Sequence, residues 1–268
     1  MDNLFPEVAV GGPRHGLQQA YYTRQKPQER FAKADARYYV LDHFRKYHDT
    51  SRPARMFVLP GASLDFEHAW LAAYDGHGAV VGFEQYADVF NLALRRMPHR
   101  PKLETWTYGT QTYATYHAKN RPGMTFSLLP MKFERFLTLD APDEQQAPAA
   151  RSRWMTTFHG ANLIWLDLMA TISGPVLEPC LTNLGHILDM NARAIPFALT
   201  FATQRAKNLK QKGVVRNPDD PIGGYRETVR RWLEYRTRRR YEPTGFYCYG
   251  GKDSAHMCLM WGLLRSKR

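Results

Sequence analysis

The stretch MFVLPGASLDFEHAWLAAYDGHGAVVGFE, residues 56–84, holds two short apolar runs on either side of a helix-length interval. MFVLP at 56–60 ends in Pro60-Gly61 and reads as a buried strand running into a tight turn. Residues 65–74 are helix-like, and AVVGFE at 79–84 is a second buried strand. YADVFNLALRRM at 86–97 follows as an amphipathic helix that stops before Pro98. Strand, turn, helix, strand and helix within about 40 residues is the βαβ rhythm that implies a parallel sheet.

Working outward, residues 28–48 read as a helix, with Phe31, Ala34, Tyr38, Leu41 and Phe44 spaced by three and four and with Arg30, Lys33, Arg37 and Arg45 opposite. Pro53 breaks that pattern. Downstream, LETWTY at 103–108 and MTFSLL at 124–129 can each form strands, and APDEQQAPAA at 141–150 has loop composition. The α/β rhythm then returns with NLIWLDLM at 162–169, a helix over 176–190 despite Pro179, and IPFALTF at 195–201. Residues 223–238 form a basic helix with Tyr225, Val229, Trp232 and Leu233 inward and Arg226, Arg230 and Arg231 outward. Residues 244–263 hold two strand-like runs around Gly250-Gly251-Lys252-Asp253-Ser254, a β-hairpin.

Composition narrows the class of protein. The chain has 268 residues and 44% hydrophobic content, enough for a sizeable core, and carries a net charge of +12. Residues 14–55 contribute +6 and residues 204–240 contribute +8, whereas residues 56–203 sum to −2. A neutral centre between two basic blocks suits a small-ligand core with a rim that grips a polyanion. No run approaches the roughly 20 apolar residues of a membrane span, and MDNLFPEVAV carries no basic n-region followed by an apolar run, so neither membrane insertion nor secretion is expected. Cys180, Cys248 and Cys258 form no CxxC pair, so no disulfide or zinc cluster is expected. The expected location is intracellular, cytoplasmic or nucleoid-associated, with no membrane partner.

The order of elements resembles the class I, Rossmann-like S-adenosylmethionine-dependent methyltransferases. The resemblance covers residues 56–268 and implies an α/β fold with a mostly parallel seven-stranded sheet closing in an antiparallel hairpin, here 244–263. Residues 1–55 become a basic N-terminal helical extension. The resemblance assigns VLPGASLD, Val58 to Asp65, to the cofactor turn, with Pro60, Gly61 and Ser63 beside S-adenosylmethionine. A glycine suits that place because only a residue without Cβ lets the cofactor approach the backbone closely. It assigns Glu84 to the cofactor ribose, whose two hydroxyls a carboxylate can accept together, and Asp167 to the reacting group as the catalytic acid or base.

Arg230, Arg231, Arg236, Arg238, Arg239 and Arg240, interleaved with Trp232, Tyr235 and Tyr241, are the candidate nucleic-acid contacts, guanidinium groups for phosphates and rings for bases. Asp167 is followed by Leu168-Met169-Ala170 rather than by prolines and an aromatic, so an exocyclic base amine is not supported as the acceptor. Cys180 lies within a helix and does not suit carbon-5 cytosine chemistry. The Gly250–Ser254 run lacks the spacing of a phosphate loop, Gly61-Ala62-Ser63 lacks that of a nucleophile elbow, and the ten histidines form no ligand pair. The functional expectation is methyl transfer to DNA or RNA. The alternative is a catalytically inactive protein of this fold that binds nucleic acid or serves as a scaffold, which a first turn with a single glycine would explain.

Overall fold

A computed structural model describes residues 27–59, 64–73, 78–84, 86–97, 100–108, 111–121, 124–129, 133, 159–171, 176–202, 221–249 and 257–267. Its elements are α1 (Pro27–Tyr47), β1 (Ala54–Val58), α2 (Asp65–Ala73), β2 (Gly78–Phe83), α3 (Ala87–Arg96), β3 (Lys102–Tyr108), β4 (Gln111–Arg121) and β5 (Met124–Leu129). After these come β6 (Leu163–Thr171), α4 (Leu177–Ile187), β7 (Ala194–Ala202), α5 (Pro221–Thr237), β8 (Arg239–Tyr249) and β9 (Met257–Ser266). The nine strands form one sheet in the order β3-β4-β5-β2-β1-β6-β7-β9-β8. Strands β5, β2, β1, β6 and β7 are parallel neighbours. β9 runs antiparallel between β7 and β8.

Alternate residues of the central strands feed two cores, as a parallel sheet covered on both faces requires. On one face Phe57, Val81, Ile164, Phe197 and Leu199 pack against Cys180, Leu181 and Leu184 of α4 and Val229 and Leu233 of α5. On the other, Met56, Val58, Val80, Leu163 and Trp165 pack against Ala36, Val40 and Phe44 of α1, Phe66 and Trp70 of α2, and Phe90 of α3. The helix expected in the N-terminal extension therefore covers one face of the sheet. β1 begins at Ala54, two residues ahead of the apolar run, because Arg55 shares its main-chain groups with Asn162: its N–H donates to Asn162 Oδ1 at 2.7 Å and its carbonyl accepts from Asn162 N–H at 3.0 Å.

The sheet has two more strands than the resemblance implies. β3 and β4 pair antiparallel, from Lys102 opposite His117 to Tyr108 opposite Gln111, and β4 pairs with β5. β4, QTYATYHAKNR, is rich in Thr and Tyr, and Tyr116 and Ala118 are its buried alternate positions. Pro179 is accommodated in the first turn of α4, where its missing N–H has no intrahelical partner to lose. The terminal hairpin runs longer than read, over 239–249 and 257–266, and Pro243 sits in its edge strand at a register shift. Gly250 to Ser254 lie outside the described residues.

The absence of a disulfide does not hold. Cys248 and Cys258 are direct cross-strand partners, 4.4 Å apart at Cα, and are disulfide-bonded. Strand register brings them together where sequence spacing gave no sign of it. Cys180 is a buried free thiol. Among the described residues no helix is long and apolar enough to cross a membrane.

Two contacts yield stability predictions. α4 meets α5 at Gly185, where an added Cβ would lie 2.6 Å from the Arg236 carbonyl oxygen, a main-chain atom that cannot swing aside. Gly185→Ala should therefore cost about 1–3 kcal/mol, measured by urea unfolding. His43 of α1 is buried, and its Nε2–H donates to the Gly262 carbonyl at 2.8 Å. Burial lowers its pKa, outweighing that bond. The unfolded imidazole, with a pKa of about 6.5, binds a proton that the folded one resists, so the stability tied to neutral His43 is complete above that pH and is lost as pH falls below it. Urea unfolding at pH 7.5 and 5.5 should show this loss, and His43→Gln should reduce it.

Candidate cofactor and acceptor site

All parallel strands deliver their carboxyl ends to one rim, where ligands of open α/β sheets bind. Register fixes what stands there. Val58 at the end of β1 is level with Gly82 of β2 and Trp165 of β6. Glu84 and Asp167 each lie two residues further on, so both stand one row beyond the level of Val58, on the two strands that flank β1. Two strand spacings separate them, about 10 Å. Residues in such a row share a face, here that of Leu163 and Trp165.

Glu84 is half-buried. Its N–H donates to the Leu129 carbonyl at 3.0 Å, continuing the β2–β5 pairing, and its Oε1 accepts from the Tyr86 N–H at 2.8 Å. Tyr86 is the N-cap residue of α3 and supplies no side-chain cap, so Glu84 also brings negative charge to the positive end of that helix. Asp167 is partly buried and lies opposite Thr200, whose hydroxyl accepts from Trp165 Nε1–H at 3.2 Å. Among the described residues the Asp167 carboxylate has no hydrogen-bond or ion-pair partner. The rim thus holds two carboxylates, of which Glu84 is tied to a helix start. Pro60, Gly61 and Ser63 lie outside the described residues.

Sequence reasoning missed Leu64. It has φ +52°, is fully buried, and its carbonyl accepts the first helical bond of α2, from His68 N–H at 2.9 Å. A left-handed leucine costs roughly 1–3 kcal/mol and persists only where its surroundings hold it. No composition or spacing signal marks it.

Leaving aside the β3–β4 pair, the sheet is a doubly wound parallel unit in which the last strand is reversed and inserted beside β7. The chain has the Rossmann-like, methyltransferase-type fold. No protein-family model matches the sequence, and no curated protein matches it. Among solved structures, the Methanococcus jannaschii fibrillarin pre-rRNA processing protein aligns with 81% of this chain and 68% of its own, at 12% identity and TM-score 0.44. A 16S rRNA adenine methyltransferase from Catenulisporales acidiphilia aligns over 85% of this chain and 93% of its own, at 11% identity and TM-score 0.42. A geranyl diphosphate methyltransferase in complex with GPP and sinefungin aligns over 96% and 86%, at 11% identity and TM-score 0.47.

The basic candidates separate from this rim. Arg230 is spent within α5: its Nε and Nη2 donate to Glu227 at 2.7 and 2.8 Å and its Nη1 to Glu234 at 2.9 Å. Arg231 Nε also donates to Glu227 at 2.7 Å. Hydrogen bonds from Arg230 and then Arg231 hold the Glu227 carboxyl at about 2. Arg236 is paired with Glu178 of α4, and exposed Arg240 lies 3.7 Å from Glu242. Arg238 is exposed at φ +55°. With Arg236, Tyr235, His186 and Met190 it lines a cleft of about 460 Å³ between α4 and α5. That cleft adjoins the start of β8, at the opposite rim from Glu84 and Asp167.

Arg239 corrects the sequence reading outright. It is 3% exposed; its Nη1 donates to the carbonyls of Ala192 at 2.9 Å and Leu264 at 3.3 Å, and its Nη2 to that of Asp189 at 2.8 Å. It ties the α4–β7 connection to β9 and presents nothing to a phosphate. Tyr241, also buried, offers no ring to a base. Arg239→Ala should lower stability by about 2–4 kcal/mol in urea unfolding, because three carbonyls lose a charged donor, while leaving the salt dependence of nucleic-acid binding unchanged.

Proposed function

We propose that the protein is an S-adenosylmethionine-dependent methyltransferase acting on nucleic acid. The observation that carries the reading is the pair of carboxylates, Glu84 and Asp167, level with each other on either side of β1 at the ligand-binding rim. In this reading Glu84 accepts the diol of a cofactor ribose, which is supported by its carboxylate being held in orientation through the bond from the Tyr86 amide to Oε1. Asp167 carries a carboxylate with no partner among the described residues, which suits a group that orients an acceptor or takes its proton. S-adenosylmethionine, when bound, supplies an electrophilic methyl carbon. The chain's own part is to hold the acceptor in line with it and to accept the proton the acceptor gives up. The acceptor class rests on the +12 charge and on the basic segments that flank a near-neutral centre.

A second reading keeps the fold and drops the chemistry: a protein that binds nucleic acid or serves as a scaffold without cofactor. The single glycine of the first turn and the bulky left-handed Leu64 that follows it favour this reading.

Calorimetric titration with S-adenosylmethionine and S-adenosylhomocysteine separates the two. Under the first reading the wild type binds both in the micromolar range. Glu84→Gln, which keeps an oxygen for the Tyr86 amide, weakens both by about tenfold or more. Asp167→Asn should retain cofactor affinity and lose about a hundredfold or more in methyl transfer to total cellular RNA or sheared DNA. A wild type that binds neither compound establishes the second reading.

A further inference from the structure

The row of residues holding Glu84 and Asp167 continues across the sheet. Asp167 pairs with Thr200, Thr200 with Leu259, and Leu259 with Tyr247. Tyr247 is therefore level with Asp167 on the same face, three strand spacings or about 14 Å away. One row towards the amino ends, Trp261 of β9 lies opposite Gly245 of β8. A Cβ at Gly245 would fall 2.1 Å from the indole Cζ2, so the indole lies flat on the β8 backbone, in space that only glycine leaves open. Tyr39 of α1 stacks on Trp261, with centroids 5.4 Å apart and planes 7° apart. Tyr39 also meets Tyr247 at 5.4 Å, and Tyr38 stands edge-on to Tyr39 at 6.4 Å.

These four rings are not a closed core. Tyr39 is 40% exposed even while stacked, Tyr38 is 68% exposed, and Tyr247 and Trp261 are partly exposed. α1 is seated on the sheet by Ala36, Val40 and Phe44, which are buried, and Tyr39 adds a partly exposed contact to the hairpin, whereas Tyr38 touches only Tyr39 among these rings. Arg37, Arg45 and Lys46 share the described part of the helix with Asp35 and Asp42, and the last turn carries the basic pair Arg45 and Lys46. Flat rings beside cations are the combination that binds unstacked bases together with their phosphates.

We infer that the exposed rings of Tyr38 and Tyr39 of α1, beside Tyr247 and backed by Trp261 of the β8–β9 hairpin, are a platform on which the unpaired bases of a single-stranded nucleic acid stack. Asp167 lies in the same row as Tyr247, about 14 Å away across the buried Thr200 and Leu259. The inference rests on the acceptor class proposed above and narrows it from nucleic acid in general to exposed bases. A distance of about 14 Å corresponds to about four stacked nucleotides, so bases held on the rings can deliver a neighbour in the same strand to the rim. A duplex hides its base faces within its own stack and gains only from the cations.

The test uses the full chain and fluorescein-labelled twelve-nucleotide oligouridylate and oligothymidylate, with a twelve-base-pair duplex for comparison. Binding is followed by anisotropy over a range of salt concentrations. The wild type should bind single strands at least tenfold tighter than the duplex. Tyr38→Ala and Tyr39→Ala together should weaken single-strand binding by about tenfold to a hundredfold with little change in the salt slope, while Tyr39→Phe retains it. Arg45→Ala with Lys46→Ala should instead flatten the salt slope. Tyr38→Ala alone removes an exposed ring and keeps the test meaningful should the double variant unfold. Equal binding of single strands by folded Tyr38→Ala and the wild type, or equal affinity for duplex and single strands, overturns the platform. Failure to bind S-adenosylmethionine while the tyrosine dependence persists refutes the catalytic reading and leaves the platform standing. Cofactor binding by a protein indifferent to the oligonucleotides does the reverse.

Discussion

β1 is hydrogen-bonded on both sides, to β2 through Ala54–Val58 and to β6 through Met56–Val58, and the rest of the molecule takes its levels from that double pairing. A slip of one residue on either side would turn every side chain of the neighbouring strand to the opposite core. The large apolar residues that alternate along these strands, Phe57 against Val58 and Ile164 against Trp165, make such a slip prohibitive. Fixed register then places Glu84 and Asp167 at one height without any direct contact between them. The site is a consequence of how the sheet is packed.

The same register explains why positive charge divides into groups with different roles. α5 offers Arg230 and Arg231 to its own glutamates, three and four positions away, which is ordinary helix-surface pairing. Arg239 enters the sheet because β8 starts there, and its guanidinium satisfies carbonyls left over where α4 hands the chain to β7. α1, carrying exposed tyrosines and a basic last turn, lies on the face to which Asp167 belongs. A linear count of Arg and Lys gives all these residues equal standing, whereas their partners in space do not.

Much of the architecture is legible in the sequence, since buried parallel strands appear as apolar runs and the intervening helices show their three-and-four spacing. That holds for β1, β2, β6 and β7 and for α1, α3, α4 and α5. β4 escapes because a Thr- and Tyr-rich strand on the sheet periphery has too few aliphatic residues to show period-two burial. Glu84 and Asp167 are visible as acids at strand ends. Their common level is not, because it depends on the pairing of β1 with β6, such as Met56 with Leu163, between segments more than 100 residues apart. The fate of Arg239 likewise depends on long-range geometry, whereas the Cys248–Cys258 bond depends on the register of one hairpin.

The placement of β9 bears on how the chain is made. β7 needs a neighbour on its outer side, yet the strand that occupies that position is synthesised after β8, more than 50 residues later. Until residues 257–266 leave the ribosome, the apolar edge AIPFALTFA stands with an unpaired row of main-chain groups, open to pairing with other chains. β8, though already made, can join the sheet only through β9. The β7 edge is therefore completed only after β9 has been made, and in the interval between β7 and β9 the nascent chain exposes an aggregation-prone edge.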